Sequence, residues 1–111
     1  MTLGLPNEDI ETLRAALRGP FDGPPLGEGD PLLPIVDLMD EPPGMRRRAR
    51  AALCSVLSEY RMPALLTEDP HRIAAGPIYY SNTLRRLRAH AVLALRQYLR
   101  DQGHELPVPQ E

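Results

Sequence analysis

The chain has 111 residues, 42% of them hydrophobic and 25% charged, which is the profile of one globular domain and excludes disorder throughout. A domain of this length buries roughly 65% of the surface its unfolded chain exposes, enough for one modest core. The net charge of −2 conceals a split: residues 1–44 hold nine acids and two arginines (net −7), residues 45–100 eleven arginines and three acids (net +8), and residues 101–111 three acids. Either the basic part meets a nucleic acid or membrane surface, or the acidic part folds against it and neutralises it; the second reading is preferred.

Proline is frequent, at 13 residues, more than twice the usual ~5%. Lysine is absent, so all 13 cations are arginines; this is either genome composition or a need for bidentate contacts to phosphate or carboxylate. The single cysteine, Cys54, cannot form an intrachain disulfide and lies in a helical apolar pattern, as a small core hydrophobe would. No signal peptide opens the sequence, since acids follow at once at Glu8, Asp9 and Glu11. No apolar run approaches the ~20 residues of a membrane span. The expectation is a cytoplasmic protein with no membrane contact.

In chain order, the first helix is predicted over 7–18, capped by Asn7, with Ile10, Leu13, Ala16 and Leu17 as its apolar stripe. Residues 19–30 are too rich in proline and glycine for a regular element; Phe21 is expected to pin this loop to the core. A second helix spans 31–39, started by Asp30 and Pro31, and is too apolar for a surface helix. A third runs over about 44–61 after the stop at Asp40–Gly44, burying Ala49, Ala52, Leu53, Val56, Leu57 and Tyr60. Arg46, Arg47, Arg48 and Arg50 crowd its first two turns, where cations oppose the helix dipole. Either Asp40 and Glu41 or an anionic partner must compensate. Met62-Pro63 should break this helix, with no more than a turn over 64–66. A short helix near 69–75 follows. The last helix covers 82–102, capped by Ser81 or Asn82 and ended by Gly103. Leu84, Leu87, Ala91, Ala94, Leu95 and Tyr98 form its apolar face, widened by Val92 and Leu99. Residues 104–111 form an extended tail. The prediction is thus all-α: an irregular bundle of four main helices, one short helix and proline-rich connections, folded as a single domain over 1–103.

Catalytic chemistry finds no foothold. Cys54, His71, His90 and His104 lack the spacing of a metal site. The serines have no nucleophile signature, and no phosphate-cradling glycine motif is present. No enzyme activity, cofactor, metal or small-molecule substrate is expected. His90 reads as a satisfied histidine at the core boundary.

Binding remains. Arg85, Arg86 and Arg88 open the last helix, with Arg85 and Arg88 (and Arg96 further on) expected to face outward. With the short helix before it, this arrangement would suit a helix-turn-helix reader of nucleic acid. Thr83, Leu84, Arg85, Ala91, the run Ala94-Leu95-Arg96, Tyr98 and Leu99 resemble the last helix of a sigma-factor region 4 domain, over about 17 residues. Gly76-Pro77-Ile78-Tyr79-Tyr80 departs from the compact turn of that family. The resemblance implies DNA binding, which is the alternative reading. The leading expectation is a non-enzymatic helical interaction or assembly protein, self-associating or binding another protein. Arg46, Arg47, Arg48, Arg50, Arg85, Arg86 and Arg88 are its candidate binding residues. Any of Ile35, Leu38, Val92 and Leu99 left unburied would add to the interface.

Overall fold

The computed structural model describes residues 26–76 and 80–103. The expectations for the 7–18 helix, for Phe21 and for the 104–111 tail lie outside the described residues. Within them the fold is all-α, with irregular helix packing and no strand. Five α-helices follow in order: α1 (Leu33–Leu38), α2 (Arg46–Glu59), α3 (Met62–Thr67), α4 (Pro70–Ala75) and α5 (Asn82–Asp101). A single 3-10 turn, Pro43–Met45, leads into α2.

Proline sets most of these boundaries. Pro34, Pro63 and Pro70 each sit in the first turn of a helix, where the missing N–H has no partner to lose. Pro63 therefore starts a helix instead of merely ending one. Arg61 is extended at ψ 156, and α3 begins directly after it, where the sequence pattern suggested only a turn. Asp69 caps α4 by accepting from the His71 N–H at 3.0 Å, and Ser81 caps α5 by accepting from the Leu84 N–H at 3.2 Å. Gly76 ends α4 at φ 62, ψ 178, a conformation closed to residues with a Cβ.

The α5 helix is about 30 Å long at 1.5 Å per residue, and it contacts all four other helices. Its inner residues Leu87, Ala91, Val92, Leu95 and Leu99 are at most 1% exposed. They pack against Ala52, Leu53 and Val56 of α2, Ile35 and Val36 of α1, Leu65 and Leu66 of α3, and Ile73 of α4 in one continuous core. Ile35, Val92 and Leu99 thus belong to the interior, whereas Leu38 is 41% exposed.

Three arginines also lie inside. Arg88 is fully buried, and Arg50 and Arg96 are each 6% exposed. This corrects the expectation that Arg88 and Arg96 point outward. Arg88 follows Leu84 by four residues and precedes Ala91 by three, so it stands in the apolar stripe itself. Its Nε donates to the Ala74 carbonyl at 3.2 Å and its Nη2 to the Ile73 carbonyl at 3.0 Å. Arg96 donates to the carbonyls of Leu65 at 2.8 Å and Glu68 at 2.5 Å. The acceptors lie at the C-terminal ends of α4 and α3, helices of six residues each. The last carbonyls of a helix have no partner of their own and carry its negative partial charge. A guanidinium satisfies two carbonyls at once and keeps its charge, which lysine does less well. Burial, then the neighbouring Arg100 charge, lower the Arg96 pKa, with the Asp69 charge acting against them; a guanidinium stays protonated regardless.

Candidate functional site

The seven arginines singled out from the sequence do not form one surface. On α2, Arg50 turns inward and pairs with Asp30 in a fork, Nε to Oδ2 at 2.7 Å and Nη2 to Oδ1 at 3.2 Å. Asp30 also accepts from the Leu32 N–H at 3.1 Å, so one carboxylate both braces the turn before α1 and anchors α2. Arg46 donates to Asp37 at 2.6 Å. Asp30 and Asp37 thus compensate Arg50 and Arg46 at this basic helix start, while Glu41, expected in that role, pairs with Arg86 of α5. Arg47 and Arg48 are exposed. Burial raises the Asp30 pKa, but the Arg50 hydrogen bond, the Leu32 N–H and the Arg50 charge outweigh it and hold it below the usual carboxylate range.

On α5 the three arginines part company. Arg88 enters the core, where its Nη groups meet Glu59 at 3.0 and 3.2 Å and also bond Ser55. Its Cζ lies 4.5 Å from the Tyr80 ring centroid, and the Tyr80 hydroxyl donates to Glu59 at 2.8 Å. Burial raises the Glu59 pKa, but hydrogen bonds from Arg88, Ser55 and Tyr80 and the Arg88 charge bring it below normal. These groups hold α2, α4 and α5 together and are not available to a ligand.

Arg85 and Arg86 instead edge a groove between α4 and α5. The groove encloses about 470 Å³ and has His71, Ala74 and Ala75 on one wall and Arg85, Arg86, Ala89, His90 and Leu93 on the other. A second hollow of about 310 Å³ shares His90 and Leu93 and continues toward Leu38, Met39, Ala94 and Gln97. The two adjoin at His90 and Leu93, and the pair is called the trough. Its alanines keep the floor shallow and apolar. Leu93 and Leu38, 51% and 41% exposed, are the two large hydrophobic side chains left in water among the described residues.

The cationic end is partly neutralised. Glu41, whose side chain is 4% exposed, accepts from Arg86 Nη1 at 3.1 and 3.2 Å and lies 2.8 Å from His90 Nδ1. Burial raises the Glu41 pKa, but the hydrogen bonds and charges of His90 and Arg86 more than cancel it and keep the group ionised. With Glu41 acceptor-only, His90 Nδ1 carries the proton they share. Arg85 has no such partner: its Nε is the one buried side-chain nitrogen or oxygen among the described residues without a hydrogen bond. An unpaired buried N–H is costly; this one is closed to solvent, although Arg85 itself lines the groove.

The sequence reading missed Leu93, His71 and the alanine floor. Leu93 stands outside the apolar face of its helix, and an exposed leucine on an otherwise polar face was the available signal. No three histidine, cysteine, aspartate or glutamate side chains among the described residues converge on a possible metal position. No described helix is long and apolar enough to cross a membrane. No family model matches the chain, and no curated protein or solved structure shows significant similarity to it.

Proposed function

We propose that this protein is a non-enzymatic helical interaction module whose working surface is the trough along α5. The observation that carries the reading is exposed Leu93, which lines two adjoining hollows, with exposed Leu38 in one of them and Arg85 in the other. Solvated leucines at the rim of two adjoining hollows are a poor arrangement for a surface that meets only water and a suitable one for a partner. The fold supports this division of labour, because Arg88 and Arg96 of α5 are engaged inside it.

The nucleic-acid reading has less behind it. It relied on Arg85, Arg86 and Arg88 acting together at the start of α5. Arg88 is interior, Arg86 is paired with Glu41, and the Glu41 carboxylate beside the trough would repel phosphates. The acidic segment also neutralises its basic neighbours through Asp30, Asp37 and Glu41.

The test is co-purification from the cells of origin with wild-type protein, Leu93→Asp and Arg85→Glu. Both sites are at least partly exposed, so both variants should keep the wild-type urea midpoint. Proteins that accompany the wild type should be absent from both variants. An identical set with all three would refute the reading.

A further inference from the structure

The segment 30–41 carries four acids and no cation. Its apolar underside, Leu32, Ile35, Val36 and Met39, is buried and packs on α2 and α5. Three of its acids reach cations on those same two helices. Asp30, its side chain fully buried, meets Arg50, which also lies 3.8 Å from Cys54 Sγ. Asp37 meets Arg46, and Glu41 meets Arg86 and His90. The backbone bonds beside α1 are local: the Asp30 N–H donates to the Gly27 carbonyl at 3.0 Å and the Asp40 N–H to the Asp37 carbonyl at 3.2 Å. Positive φ angles bracket the segment, 92 at Gly29 and 53 at Asp40. Asp40 is the one non-glycine residue with a positive φ among the described residues, a conformation that costs free energy while it is held. At six residues, α1 is too short to persist as a helix away from its neighbours.

We propose that residues 30–41 are a carboxylate-latched cover on α2 and α5, which leaves as one unit, ahead of the rest of the fold, when its acids lose their charge. The other helices keep their own bridge in the open state, because Arg88 of α5 bonds Ser55 and Glu59 of α2 and the Ile73 and Ala74 carbonyls of α4. Opening bares an apolar strip on α2 and α5 and returns Arg50 to water. It also takes Leu38 and Met39 away from the hollow they line with α5, so that hollow exists only while the cover is latched. Burial raises the Asp30 and Glu41 pKa values, but Arg50 and the Leu32 N–H at Asp30, and His90 and Arg86 at Glu41, outweigh it and hold both below the usual carboxylate range. Groups lowered on folding hold the cover near neutrality and release it as pH falls through their folded values. Glu59 is lowered too, so acid alone does not isolate the latch, whereas neutral substitutions within the segment do.

The test is amide hydrogen exchange of the full chain near neutral pH, read residue by residue by NMR and corrected for intrinsic rates. The Val36 and Met39 amides donate to the Leu32 and Ile35 carbonyls, so they report the opening of the segment; Leu95, buried on α5, reports the rest of the fold. In the wild type, Val36 and Met39 should exchange at least about tenfold faster than Leu95, as a unit that opens below global unfolding does. Glu41→Gln should speed both by a further factor of about ten, the effect of one well-placed ion pair, and leave Leu95 within about twofold. Adding Asp37→Asn should speed them again, by less, since that pair is half-exposed. Asp101→Asn, which neutralises an exposed acid of α5 outside the latch, should change neither. Glu41→Gln breaks one latch of three and leaves the core intact, so it carries the test even where the double variant unfolds. Equal acceleration of Val36, Met39 and Leu95 would show that the segment leaves only with the whole fold and would overturn the inference. Val36 and Met39 rates that ignore Glu41→Gln would overturn it as well, because the carboxylates would then not be what holds the cover.

Discussion

Replacing Arg88 with methionine should be among the most damaging single substitutions in the protein, although methionine suits a buried helical site. The guanidinium makes five hydrogen bonds: to the Ile73 and Ala74 carbonyls, to Ser55 and twice to Glu59. Without it, two helix-end carbonyls lose their donors, at about 1 kcal/mol each. Glu59 loses its counter-charge; its side chain is 27% exposed, so water recovers part of that loss, leaving about 1–2 kcal/mol of the 3–5 typical of a broken buried pair. The total is about 3–4 kcal/mol, a large share of the 5–15 kcal/mol that hold a domain together. In urea, with a slope of roughly 1–1.5 kcal/mol per molar, the midpoint should fall by about 2–4 M. Arg88→Lys keeps the charge but not the fork, so its loss should be intermediate. Adding Glu59→Gln to Arg88→Met should cost less than the two single losses combined, because the unpaired carboxylate is gone. A loss below about 1 kcal/mol for Arg88→Met would refute the claim that this side chain ties α2, α4 and α5 together.

Other outcomes follow from the same contacts. Gly76→Ala should cost about 2–4 kcal/mol in a urea titration, because φ 62 with ψ 178 excludes a Cβ and that Cβ would lie 2.9 Å from Tyr80 Cε2 and 3.2 Å from Arg88 Nη2; a change under 0.5 kcal/mol would contradict the geometry. Arg96→Met should speed amide exchange over α3 before the rest of the fold, since Leu65 and Glu68 lose their side-chain donor; uniform exchange would show that α3 does not depend on it. Asp30, Glu41 and Glu59 all have pKa values below their ordinary 3.8 and 4.5. Groups lowered on folding add stability above the unfolded value, and that stability is lost as pH falls through the folded one. The urea midpoint should therefore be level near neutrality and drop below about pH 4.5; a midpoint unchanged down to pH 3 would contradict these ion pairs.

The helices were legible wherever their punctuation was conventional. Ser81 and Gly103 bracket α5, Asp69-Pro70 starts α4, and the expected positions hold within a residue or two. Pro63 was misleading because the same residue can end one helix or begin the next, and only the extended Arg61 before it decides between them. The arginines were harder to place. A charged side chain reads as solvated by default, and Arg88 and Arg96 are interior only because the short helices α3 and α4 bring unsatisfied carbonyls to α5. Those contacts join residues 14 to 31 apart in sequence, a distance over which a local pattern carries no information. Once the carbonyls are in view, the stripe Leu84, Arg88, Ala91, Leu95 is continuous and the arginine reads as a core residue with a polar tip. The trough was invisible for the same reason: it exists only where α4 and the end of α1 flank the Leu93 face of α5.

The central claim is that partners meet the protein at this trough and not at its other arginine-rich surfaces. Site-specific photo-crosslinking in the cells of origin tests it most directly. A photoreactive residue replacing Leu93 should give a discrete protein adduct that Arg85→Glu abolishes, while the same residue replacing Arg48, exposed at the start of α2, should give none. An adduct from position 48 with none from position 93 would contradict the account.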